Sequence, residues 1–129
     1  MLKIFLFSIS VGVLTLGIVE RSTAQNNAVG SALESFGKVA GSWYLNQKCQ
    51  YLDPQELQQF EANVAAITIA LGKDLGDQKL LNLIQRSAKE TVYSGKYGDC
   101  QKTRPIFITG YAHSINWSEQ IRQTQKKQG

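Results

Sequence analysis

Histidine occurs once in the 129 residues, cysteine and proline twice each, and methionine only as residue 1. These shortages exclude several chemistries. A metal site needs a set of His, Cys or carboxylate ligands, and His113 alone, with no Cys-x-x-Cys pair, spells out none. A Ser-His-Asp hydrolase would have to use His113, with Ser114 or Ser118 brought in by folding. No Gly-x-Ser-x-Gly marks a nucleophile. A haem attachment motif is missing, as is the His-Asp pair with calcium loop of a phospholipase. No long apolar run follows the first one, so no stable membrane insertion is expected past the N-terminal segment. No metal and no cofactor is therefore expected, and the chain reads as non-enzymatic.

The N-terminal stretch MLKIFLFSISVGVLTLGIVERSTAQ has the form of a secretory signal. Lys3 gives the positive start, Ile4 to Val19 the apolar run, and Ser22-Thr23-Ala24 the small residues before a cleavage site. The apolar run is short for a membrane anchor, which needs about 20 residues. Cleavage after Ala24 would leave residues 25–129 as one domain with a loose basic C-terminal tail. Gln25, not a cysteine, stands directly after that site, so a lipid anchor is not expected. The destination is the periplasm or the medium, since one signal serves both.

Net charge is +4 for the whole chain and +3 without the first 24 residues. That is too little to argue for nucleic acid. The distribution is uneven: residues 25–78 carry −3 and residues 79–129 carry +6. Two halves folding against each other with complementary charge explain this, as would a basic face for an anionic partner. The first explanation is favoured, because such asymmetry names no partner.

Cys49 and Cys100 make an even count in a chain addressed to an oxidising compartment, so one disulfide is expected. The helices can be placed around it. Val29, Leu33, Phe36, Ala40 and Trp43 form one apolar stripe on a first helix ending near Asn46. Gly30, Gly37 and Gly41 interrupt it and offer places for another backbone to come close. Asp53, Pro54 and Glu56 then combine an N-cap, a proline at the first helical position and a capping box. A second helix is predicted from Pro54 to about Leu71, with Leu57, Phe60, Val64, Ile67 and Leu71 inward and Gly72 past its end. Asp77 caps a third helix carrying Leu80, Leu81, Ile84, Ala88 and Val92. The loop YSGKYGDC leads to Cys100. The segment RPIFITGYAHSINW is rich in β-branched and aromatic residues and reads as strands or as a fourth helix from about Pro105. The helix is favoured, because a lone β segment would lack partner strands.

The fold class expected is all-α: a small up-down bundle of about four helices with one disulfide. In such a bundle the first and third connections lie at the same end, so the bridge would clamp that end. Trp43, Tyr44, Tyr51, Tyr93 and Tyr97 gather there too. Tyrosine and tryptophan offer large area with a polar tip, which suits a protein-binding surface. The alternative is that Trp43 and one tyrosine plug the core and pack on the bridge. Paired-carboxylate chemistry would draw on Glu34, Glu56, Glu61 and Glu90; capping explains Glu56, and nothing singles out a pair.

Cys49 with the following YLDPQEL, and the later YGDC, resemble small secreted bacterial proteins that pair two cysteines across a helical domain. In outline the chain is also similar to periplasmic acid-stress chaperones of the HdeA type: signal, one bridge, helical body. It departs from them where YLNQK separates Trp43 from Cys49. The resemblance implies envelope or extracellular location and, through the second family, protection of other proteins. The reading reached is a binding protein with an unknown protein partner.

Overall fold

The strongest local signal in the sequence is realised atom by atom. Asp53 Oδ1 accepts the Glu56 N–H at 2.8 Å, and Glu56 Oε1 accepts the Asp53 N–H at 3.1 Å. Pro54 opens the helix behind them. The protein is described here by a computed structural model covering residues 17–128, with side chains from 28 to 127. Its helices are α1 (Gly17–Cys49), α2 (Pro54–Leu75), α3 (Gln78–Tyr93) and α4 (Cys100–Gln128), with a 3-10 turn at Gly95–Tyr97. No strand occurs among the described residues. The fold is an all-α bundle with the Cys49–Cys100 disulfide.

The chain divides into two compact units, Met1–Glu34 and Ser35–Gly129. The first 16 residues, which hold most of the expected signal, lie outside the described residues. From Gly17 to Glu34 the first unit is helical, with Val29 40% exposed although the periodicity places it on the apolar stripe.

Within the second unit the helix register can be read from side-chain pairs. Ser42 Oγ of α1 donates to the Phe107 carbonyl of α4 at 3.1 Å, and Cys49 bonds Cys100, so α1 and α4 run antiparallel. Gly37 faces Ile84, Lys89 lies over Tyr44, and Lys48 reaches Val92, so α1 and α3 run parallel. Leu45, Phe60, Val92 and Phe107, one from each helix, form a buried cluster. Fully burying an aliphatic or phenyl side chain of this size stabilises by roughly 1.5–3 kcal/mol. Phe60, Ile67 and Leu71 of α2 and Leu81 and Val92 of α3 are buried as their spacing predicts.

Several boundaries differ from the sequence expectation. α1 continues past Asn46 to Cys49, and the buried Asn46 side chain instead accepts the Leu52 N–H at 3.0 Å, closing the connection to α2. Gln50 ends α1 in the left-handed region, φ 53°, with its N–H on the Asn46 carbonyl at 2.7 Å. α2 runs past Gly72, which is packed near Gln78 and Leu81; the left-handed cap is Gly76, φ 65°. Asp77 caps α3 as expected, accepting the Leu80 N–H at 3.0 Å.

The fourth helix starts five residues before Pro105. Asp99 Oδ1 accepts the Gln101 N–H at 2.9 Å and the Lys102 N–H at 3.3 Å, so an aspartate cap sets the start. Proline lacks the N–H that would bond the Gln101 carbonyl and its ring crowds that carbonyl, yet the helix passes through it. At the other end the basic stretch expected to be loose is part of α4. Glu119 and Arg122 pair at 2.9 Å, and Thr124 Oγ1 donates to the Gln120 carbonyl at 3.0 Å. The close backbone approach expected at Gly30, Gly37 or Gly41 occurs at Gly110 instead. A Cβ there would lie 2.5 Å from the Lys38 carbonyl and 1.9 Å from Ser42 Oγ, so only glycine lets α1 and α4 meet.

Candidate functional site

Two connections share the bridged end of the second unit, residues 50–53 and 94–99. Cys49 is the last residue of α1 and Cys100 the first of α4, with their Cα atoms 5.7 Å apart. The bridge therefore joins two helix ends directly, one step inward from the connections.

The five aromatic residues expected at this end are there, in two different roles. Trp43 is half-buried with its ring 5.6 Å from Phe60. Tyr51 stacks on Phe107 at 4.6 Å; its hydroxyl donates to the Cys100 carbonyl and lies 2.8 Å from Thr103 Oγ1. Tyr44 and Tyr97 are half-buried and pack, like Trp43 and Tyr51, against the buried cluster. These four complete the core at its bridged end. Tyr93 differs, with 49% of its surface exposed.

Each of three tyrosines has a cation over its ring. Lys48 Nζ is 5.8 Å from the Tyr93 centroid, Lys89 Nζ 6.0 Å from Tyr44, and Arg104 5.6 Å from Tyr51. The negative face of an aromatic ring attracts a cation at such distances. Lys48 also donates to the carbonyls of Val92 at 3.3 Å and Tyr97 at 2.9 Å, tying α1 to the end of α3 and to the 3-10 turn. The cations were not legible as site residues, because each pairs with a tyrosine distant in sequence. Phe107 and Tyr111 also join the aromatic cluster, with rings 5.4 Å apart. Their spacing of four on one helix face was the available signal. Burial, with the Glu56 and Asp53 carboxylates behind it, pushes the Tyr111 phenol above its usual range.

Beside the bridge lies an open depression of about 490 Å³ lined by Cys49, Gln50, Tyr51, Cys100, Gln101 and Arg104. One cationic side chain, two amides and the disulfide face it. Gln50 holds its left-handed conformation at its edge.

The residues considered for catalysis are placed otherwise. Ser114 and Ser118 are fully buried, and their hydroxyls donate to the Tyr111 and Ile115 carbonyls of their own helix at 2.7 and 3.1 Å. His113 sits edge-on to Trp117 at 5.6 Å. Among the described residues no group of three or more His, Cys, Asp or Glu could hold a metal ion. No family model matches the chain, and no curated protein or solved structure matches it at a significant level.

Proposed function

We propose that the protein is a non-enzymatic binding protein of the periplasm or the extracellular space, and that its bridged end receives a protein partner. The observation carrying this is the cation-rimmed tyrosine set, with Tyr93 half exposed at its edge. Aromatic residues and arginine are enriched in protein interfaces, where a ring and a guanidinium bury area while keeping polar contacts. The disulfide is compatible with an oxidising compartment. Among the described residues no helix is long and apolar enough to cross a membrane.

Trp43, Tyr44, Tyr51 and Tyr97 pack against the buried cluster, while Tyr93, Lys89 and Arg104 are exposed. A capture experiment separates these roles. The tagged protein is cross-linked in the native envelope fraction and in the medium, beside a Tyr93→Ala variant of unchanged helical signal. One specific protein, recovered with the parent and lost about tenfold or more with the variant, is the expected result. The same recovery with both would remove this surface as the binding site. Many unrelated proteins, recovered chiefly after acid shock, would instead favour the stress-chaperone reading.

A further inference from the structure

The bridge closes the structure, yet it is not sealed inside it. Cys49 and Cys100 are both half-buried and both line the open depression. We propose that Cys49–Cys100 is a polarised thiol–disulfide exchange site, reduced in the folded protein by a dithiol, with Cys49 as the sulfur attacked and Cys100 as the leaving group. The site consists of the bridge and its surroundings, and it acts whether or not the tyrosine rim binds a partner.

The two sulfurs end up in opposite electrostatic settings. Cys49 closes α1, where the C-terminal end of the helix disfavours a new negative charge. Cys100 opens α4, where the helix favours one. Arg104 follows Cys100 by one turn and lines the same depression. Asp99 works against this, since its carboxylate stands next to Cys100. That carboxylate is engaged by the Gln101 and Lys102 N–H groups, which blunts its field. Next to Cys49 in the chain, Lys48 has its ammonium engaged by the Val92 and Tyr97 carbonyls. The balance leaves Cys100 as the sulfur better able to carry charge. A thiolate that is stabilised leaves faster, so the attack is directed to the other sulfur. Arg104 also draws an anionic thiolate into the depression.

The exchange balances with a dithiol as the only co-reactant. One of its thiols, as thiolate, attacks Cys49 Sγ; the new S–S bond forms as the Cys49–Cys100 bond breaks, and the electron pair leaves on Cys100 Sγ. The dithiol's second thiol, as thiolate, attacks the dithiol's first sulfur in this mixed disulfide; their S–S bond forms as the bond to Cys49 Sγ breaks, and Cys49 leaves as thiolate. The dithiol is oxidised by two electrons to a disulfide. Its two protons end on Cys49 and Cys100.

The test uses the full oxidised protein without denaturant. Glutathione is added in excess, the reaction is acid-quenched early, and the glutathione adducts are mapped by mass spectrometry. Dithiothreitol then gives the rate of complete reduction. The expected result is an adduct on Cys49 in at least about fivefold excess, with a reduction rate that rises linearly with dithiothreitol. Arg104→Gln, with unchanged circular dichroism, is expected to slow reduction by about two- to fivefold, the scale of one exposed charge interaction. A rate that levels off at the global unfolding rate would overturn the proposal, because the bridge would then open only with the fold. Equal adducts on both cysteines, or a majority on Cys100, would overturn the polarity, as would an Arg104→Gln rate equal to the parent's.

Discussion

The ring of His113 stands edge-on to Trp117 on the outer part of α4. Partial burial, and then the Lys38 charge, hold its imidazole below the usual value of 6.5. A histidine shifted this way binds its proton more weakly folded than unfolded. The folded state therefore loses stability relative to the unfolded one as the pH falls through 6.5 toward the lowered value. Above 6.5 the residue is neutral in both states and contributes no pH dependence. An NMR titration of the His113 ring is expected to give a midpoint below 6.5. The parent should also lose more melting temperature than His113→Gln between pH 7.5 and 5.5. A midpoint at or above 6.5 would contradict the packing described for this ring. The neighbours of His113, Lys38 of α1 and Trp117 of its own helix, were not legible in the sequence.

Helix ends show what local sequence can and cannot announce. Asp53, Pro54 and Glu56 fixed the start of α2 because all the groups involved lie within four residues. Asp99 caps α4 through its carboxylate alone, yet Pro105 drew the expected start of the helix toward itself. A proline costs a helix most in its middle, and the glycines before Asp99 resembled a continuing loop. Gly72 and Gly76 posed the same problem, since both suit a helix end and only packing decides between them. The end of α3 is of another kind. Its Val92 carbonyl, and the Tyr97 carbonyl of the 3-10 turn, are held by Lys48 from α1, a bond invisible in either stretch alone. Lys48→Met keeps the stem and removes the ammonium. It is expected to cost about 1–2 kcal/mol, near the worth of hydrogen bonds from a charged donor at a partly buried site. Hydrogen exchange at residues 92–98 should rise more than elsewhere. Uniform exchange across all helices would show that this end does not depend on Lys48.

For the molecule as a whole, an all-α bundle with one bridge was legible because composition, helical periodicity and cysteine parity agree. The aromatic gathering at one end was legible too, since it follows from topology. Which of those aromatics are structural was not, because that depends on contacts such as Tyr51 with Phe107. The bridge spans 51 residues of sequence. In the chain-entropy account a loop of this size is worth about 4 kcal/mol. Replacing both cysteines by serine is expected to lower stability by about that amount in urea, with the helical signal retained at low denaturant. A loss below about 1 kcal/mol would mean that the helix ends are held by packing alone.

The place of the bridge along the chain has one more consequence. α1 and α2 carry Cys49, while α3 and α4 carry Cys100, and the two pairs meet in the chain only at the short turn of Gly76 and Asp77. Should a protease nick that turn, the product would be two peptides of unequal length still covalently married at the opposite end. They would run as one species on a non-reducing gel and as two after reduction. Each peptide would keep its companion at a high effective concentration, so a single cut would divide the polypeptide without releasing either half.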